Sequence, residues 1–581
     1  MSIHCDSNPK NWTRELSPAL VAAVLVFSFL ALAAIVQILQ PSLVSGEWMM
    51  RAAIFAVTYM LLYALIFSTT PWVTASCWLA IPVLLFVATW LRSIWSIPLV
   101  ALIFWSLVAS IRENRERISA GWCDALPGAL LILFWVSMAG AGGYGFQNSD
   151  YVLHNGRLID LVENAWPVSY QHGIVLTRPE HADRNLFVLY SGYYLLAGWL
   201  GKLSNLSIAM EFMHVWTVGG CWIALRFLQS FSQMRNAVLP ALLLIFCGGW
   251  DLFGVLGSYF LRGYIESSNQ LAAGLQQLWQ LGHTPVWLDF WAGDVLVDEY
   301  HFGNFLSLTA ELFWAPHHTI ASWLSVGLIY VAWKKSSYKF VVFNAALLMF
   351  FSPLMCAVLA VFVLAMALQG GIVHWRFWIS MPNAVGFMVA VIFALYYWSG
   401  SAAANPVGLT PLKSFWPAFG YFLYFWFFSW GIYALSCRKH IALMSNEKKI
   451  FFSAVFFIFA MFSLFRYGLW NDLMVRSSAP LYFCIAILLL EVVKTEMVSR
   501  KYIKAVLFVV LVVPSAPSAI LNLHTSMTYL GHKEPAKRVV DYWDGWEGLG
   551  TVNSFYAKYL AAPPGTFFQT ESTFETKNPT K

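Results

Sequence analysis

The chain is 581 residues long, 59% hydrophobic and only 11% charged, with a mean hydropathy of +0.64. A water-soluble domain carries roughly a quarter charged residues, so the composition excludes water as the solvent for most of the surface. The net charge of +6 does not mark a nucleic-acid binder, because the basic residues sit in short loops between apolar runs, where membrane orientation accounts for them.

Several apolar runs, Pro18 to Leu39 and Tyr502 to Leu521 among them, approach the ~20 residues that cross a ~30 Å hydrocarbon core. Backbone groups in lipid must be satisfied within a helix or a closed barrel, and these runs are too long and too uniformly apolar for barrel strands. The fold class expected is an all-α polytopic membrane protein. In chain order, helices are expected near residues 18–39, 52–69, 74–91, 94–111 and 123–142. The first follows a polar stretch, Met1 to Ser17, without a small-residue cleavage site, so it reads as a retained helix and not as a removed signal peptide. The eight cysteines are scattered singly with no CxxC spacing, which suggests small core residues and neither a zinc site nor a disulfide framework.

A long polar loop begins at about Tyr144, and the segment Asn185 to Leu203 inside it is long enough to span but rich in Tyr and Gly. Lys and Arg concentrate in short cytoplasmic loops, and this decides the matter. With the segment lying flat, Arg112, Arg115 and Arg117 share one face with Arg226, Arg235, Lys334, Lys335, Lys339, Arg438, Lys439, Lys448, Lys449, Lys494 and Arg500. If it spans, the first set is stranded opposite the rest. The segment therefore reads as an interfacial helix in a chain of about fifteen spans. The amino terminus is then cytoplasmic. The expected units are amino-terminal helices over 1–122, a central module over 123–370 with outer loops at 144–205 and 259–314, carboxy-terminal helices over 371–521, and an outer tail over 522–581.

Polar chemistry collects on the outer face. The first loop carries Asp150, His154, Arg157, Asp160 and Glu163; in a helix starting near Asp150, His154 lies one turn on and shares its face, while Val152, Leu153, Leu158, Ile159, Leu161 and Val162 would let that helix rest on the membrane. Asp150 follows the small-residue run AGAGGYG, where a helix leaves the bilayer and a lipid-linked substrate comes within reach. The second loop offers Asp298, Glu299, His301, Glu311, His317 and His318. Asp298 and Glu299 could act as a base or hold a divalent cation, although no ligand set is strong enough to claim one. Adjacent histidines point about 100° apart on a helix, and Pro316 suits a helix's first turn, so His317 and His318 read equally well as interfacial residues. A third cluster, RYGLWNDLMVRSSAP, sets Arg466, Asp472 and Arg476 between two apolar helices. Arginines in a short outer loop point either to an anionic ligand such as a phosphate or to an ion pair with Asp472.

The order of these features is more informative than any one of them. An outer loop opens with Asp150-Tyr151, passes through Asn164-Ala165-Trp166-Pro167, and reaches Leu189-Tyr190 and Gly201-Lys202-Leu203 before a helix runs into a basic turn. This series resembles the start of the GT-C superfamily of membrane glycosyltransferases, which take sugars from polyprenyl-phosphate carriers. The resemblance covers roughly Cys123 to Gly370; it departs from the family in having Tyr151 for the usual second acid, no Pro pair before Tyr190, and four helices ahead of the module. It implies that Asp150 is the catalytic base of an inverting transfer. A second stretch, VDEYHFGNF at Val297 to Phe305, resembles the DE-x-HFG of protein O-mannosyltransferases in the same superfamily and would give that role to Asp298. The implied partners are a polyprenyl-phosphate-linked sugar donor, a glycan, lipid or protein acceptor, and membrane lipids. The implied setting is a bacterial inner membrane with the site facing the periplasm, in cell-envelope polysaccharide synthesis.

Two rival readings stand beside it. A lipid-linked polysaccharide polymerase or ligase would depend on arginines such as Arg476 more than on a first-loop Asp. A transporter or flippase would need ionisable groups at mid-membrane and an internal repeat, and Asp251 and Glu211, the main exceptions to the charge-free spans, both fall near expected helix ends.

Overall fold

The structure is a computed structural model that describes residues 46–114, 122–169, 186–234, 236–261, 305–370, 378–400, 407–409, 415–467, 471–499, 511–534, 560–561 and 567–569. The expected helix at 18–39 lies outside them. Among the described residues the chain is mostly helical. In order come α1 (Gly46–Ser68), α2 (Pro71–Trp90), α3 (Ser93–Glu113), α4 (Trp122–Ser137), α5 (Tyr151–Glu163), α6 (Gly192–Leu203), α7 (Leu206–Ser232), α8 (Val238–Phe246) and α9 (Asp251–Leu261). After the second large loop come α10 (Leu308–Trp314), α11 (Pro316–Lys334), α12 (Val341–Leu347), α13 (Met355–Gly370), α14 (Met381–Gly400), α15 (Phe415–Trp426), α16 (Ile432–Leu443), α17 (Asn446–Leu464), α18 (Asp472–Ser499) and α19 (Ala516–Thr528).

Five of these helices, α2, α3, α7, α14 and α18, are long and apolar enough to cross a membrane. Shorter apolar helices such as α4, α8 and α13 pack among them, and the architecture is that of a helical membrane protein. Its core is aromatic, and the largest fully buried indoles find acceptors, as buried Trp usually does. Trp135 donates to Thr309 Oγ1 at 3.1 Å, Trp222 to the Ala129 carbonyl at 2.9 Å, and Trp323 to the Ala479 carbonyl at 3.1 Å.

Helix ends follow local chemistry. Thr70 accepts from Val73 N at 3.3 Å with Pro71 in the first turn of α2, Asn205 caps α7 through Ile208 N at 3.0 Å, and Ser307 caps α10 through Ala310 N at 3.2 Å. Between α4 and α5 the chain turns through the run of small residues. Gly140 and Gly145 have φ of +81° and +69°, and a Cβ on either would meet the Phe146 or Ser137 carbonyl oxygen at 2.6 Å. Only glycine fits such a turn.

The two ends of the bundle differ in chemistry. At one end Lys339, just after α11, pairs with Glu113 at the close of α3 at 3.2 Å, and Lys448 in α17 pairs with Glu491 in α18 at 2.7 Å. The Lys339–Glu113 contact puts the loop after α3 at the same end as the loop after α11, as expected for a flat 185–203 segment. That segment forms only the 12-residue α6, about 18 Å at 1.5 Å per residue, too short for a ~30 Å core. At the other end lie the starts of α5, α7, α11 and α18.

Three expectations are corrected. Helix α5 does not rest on the membrane by all six apolar positions: Val152, Leu153 and Val162 are half-buried, but Leu158, Ile159 and Leu161 are buried, because α6 and α7 pack on it and Asn155 is tied to the Glu534 carbonyl at 3.4 Å. The outer tail does not begin at Asn522, which lies inside α19; helical pairing continues until Tyr529 N bonds the Thr525 carbonyl at 3.0 Å. Nor do the His317 and His318 rings diverge. Their centroids are 3.9 Å apart, since both lie against Tyr190, at 5.4 and 4.9 Å.

Candidate active site

The polar residues of three separate loops are expected to collect on the outer face. Seven of the residues singled out converge: Asp150, His154 and Arg157 from the α5 region, His317 and His318 from the first turn of α11, and Asp472 and Arg476 from the start of α18. Pro316 opens α11, so both histidines are presented at its mouth-side end.

Asp150 occupies the N-cap position of α5 but makes no capping hydrogen bond with its side chain. Asn148 aligns the backbone there: its Oδ1 accepts from Asp150 N at 3.0 Å, and its Nδ2 donates to the Phe313 carbonyl at 2.9 Å. The half-buried carboxyl is thus left to the cluster. Burial raises its pKa above the ordinary Asp value; Arg476 and Arg157 pull it back down, and Asp472 raises it again. A carboxylate of raised pKa is a better proton acceptor than an ordinary Asp.

His154, one turn on, is held at both nitrogens. Nε2 faces the Trp314 carbonyl at 2.9 Å, which can only accept, so Nε2 carries the proton and Nδ1 accepts from the Tyr194 hydroxyl. Burial, with Arg157 nearby, lowers its pKa to about 3, and the ring stays neutral. Arg157 lies over the Tyr190 and Tyr194 rings, 5.2 and 5.8 Å from their centroids. His317 stacks on Tyr190 within 7° of parallel; it is 4% exposed, and neither ring nitrogen has a hydrogen-bond partner among the described residues. His318 Nδ1 meets Ser352 Oγ at 2.7 Å.

Behind this layer sits Glu311 on α10, fully buried at 0%. It accepts from Ser478 Oγ at 3.3 Å and Thr319 Oγ1 at 3.4 Å, and Arg476 Nη1 stands 3.9 Å from its Oε1. Of the two arginines weighed for an ion pair with Asp472, Arg476 stands instead against Glu311, while Asp472 acts on it through its field. Arg476 keeps 17% of its side chain exposed, so the partly open rim consists of Asp150, Tyr190, Asp472 and Arg476. A small cavity beside His154 and Tyr194 reaches Gly142, Met210 and Pro316.

Arg466 lies in β2 (Phe465–Tyr467), paired with Gly408 of β1 (Val407–Leu409). Asp298 and Glu299 lie outside the described residues. Among the described residues no group of three or more His, Cys, Asp or Glu is arranged to hold a metal ion. Asp251 opens α9 and Glu211 lies in the second turn of α7, both near helix ends. The sequence reading missed the roles of Asn148, Tyr190, Tyr194, Ser478 and above all Glu311. The one signal for Glu311 was an acid inside the apolar run LTAELFW, bounded by a capping Ser307 and by Pro316. No protein-family profile, curated protein or solved structure matches this chain.

Proposed function

We propose that this protein is a membrane glycosyltransferase of GT-C type, with about fifteen spans, that moves a sugar from a polyprenyl-phosphate carrier to an acceptor hydroxyl. The observation that supports the reading is Asp150 itself: a carboxyl not used for capping, raised by burial, and flanked by Arg476 and Arg157 on a partly open rim. Asp150 removes the proton from the acceptor hydroxyl as its oxygen attacks the anomeric carbon. The bond from that carbon to the carrier phosphate breaks in line, its electron pair leaves with the phosphate, and the configuration inverts. Arg476 offsets the charge that develops on the departing phosphate. His154, neutral and fixed in one tautomer, orients Tyr194 and so the Arg157 shelf. The setting is the outer face of a bacterial inner membrane, opposite the basic loops.

The test is transfer from a synthetic polyprenyl-phosphate sugar in proteoliposomes. Asp150→Asn should lower the rate by about 10² to 10⁴, the usual worth of a general base, with unfolding temperature unchanged within a few degrees. Wild-type rates in that variant would remove Asp150 from the role. A larger loss in Arg476→Gln than in Asp150→Asn would instead favour the polymerase or ligase reading, to which the partly exposed Arg476 on the rim also lends itself.

A further inference from the structure

An anionic ligand at this rim meets a charge problem. Among the described residues, Asp150, Glu311 and Asp472 bring three carboxylates to two guanidiniums, Arg157 and Arg476, so a phosphate joins a set already short of positive charge. The cheapest relief is to neutralise the carboxylate with the poorest solvation. That is Glu311: it is 0% exposed, and its contacts are long for an ionised group, two hydroxyls at 3.3 and 3.4 Å and Arg476 at 3.9 Å, where a tight charged pair closes to ~2.7–2.9 Å.

We infer, resting on the reading that Arg476 receives the carrier phosphate, that Glu311 is a positioning residue that controls Arg476: ionised, it holds the guanidinium's charge within the bundle, and protonated, it cedes that charge to the phosphate. On binding, the carboxylate takes one proton from solvent, and the new O–H donates to the Ser478 or Thr319 hydroxyl, each of which can turn from donor to acceptor. Burial supports this by holding the Glu311 carboxyl up at about 7, against the opposing pull of Arg476 and the two hydroxyls. The groups around it are few. From α18 it faces Arg476 and Asp472; α11 brings Thr319, with His317 and His318 in the same turn; α8 has no ionisable residue, and α19 has only His524. The sign follows: above about 7 the site resists anions, and as pH falls through that value affinity rises.

The experiment measures the affinity of the full-length protein in detergent for farnesyl phosphate at pH 6, 7 and 8. Relative to Glu311→Gln, which keeps the shape and reports the ligand's own titration, the wild type should lose up to about tenfold in affinity from pH 6 to 8. At pH 8 the Gln variant should bind up to about tenfold tighter than wild type. Titration calorimetry of the wild type alone, in buffers of different ionisation enthalpy, should show proton uptake near pH 7.5, and this needs no variant to fold. Parallel pH profiles, or no proton uptake, while Arg476→Gln still abolishes binding, would overturn the role of Glu311 and leave the phosphate reading intact. If Arg476→Gln binds as wild type does, both fall.

Discussion

Removing a single hydroxyl, in Tyr194→Phe, probes how the site is held together. That hydroxyl donates to His154 Nδ1, and Arg157 also bonds to it. His154 cannot recover by switching tautomer, because its Nε2–H is committed to the Trp314 carbonyl at 2.9 Å. The variant therefore leaves a buried acceptor unsatisfied, at a cost of about 1–3 kcal/mol, and the loss of the Arg157 contact adds to it. Spread over a chain of this size, that corresponds to a fall of roughly 1–2.5 °C in unfolding temperature, measurable in detergent by tryptophan fluorescence. A double-mutant cycle with His154→Phe should return a coupling of about 1 kcal/mol or more, since the two side chains share one bond. Tyr194→Phe unfolding within half a degree of wild type, or additivity in the cycle, would refute the account of His154 as a neutral, doubly held residue.

Three further outcomes follow from the same coordinates. Gly145→Ala should cost on the order of 2 kcal/mol or more, because its φ of +69° and the Ser137 carbonyl 2.6 Å from the new Cβ both oppose a side chain; thermal unfolding checks it. Ser149→Cys and Lys335→Cys, both exposed and at opposite ends of the bundle, should react with a membrane-impermeant maleimide from opposite sides, Ser149→Cys in intact cells and Lys335→Cys only after permeabilisation. In the pH profile of transfer, the acid limb should lie above the ordinary Asp range, because Asp150 must be ionised to accept a proton and burial raises its pKa; Asp150→Asn should abolish that limb.

The local signals in the sequence were sound. Helices expected at 74–91, 94–111 and 123–142 appear as Pro71–Trp90, Ser93–Glu113 and Trp122–Ser137, since apolar run length and Pro or Thr at a helix start are properties of a few neighbouring residues. The helix beginning at Asp150 was legible for the same reason. What was not legible is non-local. The tail folds back over the AGAGGYG turn, where Gln147 N bonds the His532 carbonyl at 3.2 Å and Glu534 N bonds Gln147 Oε1 at 3.0 Å; the latter pair lies 387 residues apart, and no periodicity records such partners. The face of α5 that its pattern assigned to lipid is covered instead by α6 and α7, packing that no local pattern records. Glu311 stood among the polar residues of the second loop, but its role was hidden likewise, because its partners Arg476 and Ser478 belong to a helix more than 150 residues away.

The central claim is that Arg476 and Asp150 together face the phosphate end of a lipid-linked sugar. The most direct measurement is an experimental structure of the protein with a bound prenyl phosphate. The account predicts the phosphate at charged hydrogen-bond distance, ~2.7–2.9 Å, from the Arg476 guanidinium, with Asp150 beside it on the acceptor side. A phosphate bound at the Lys339–Glu113 end, or one touching neither Arg476 nor Arg157, would contradict it.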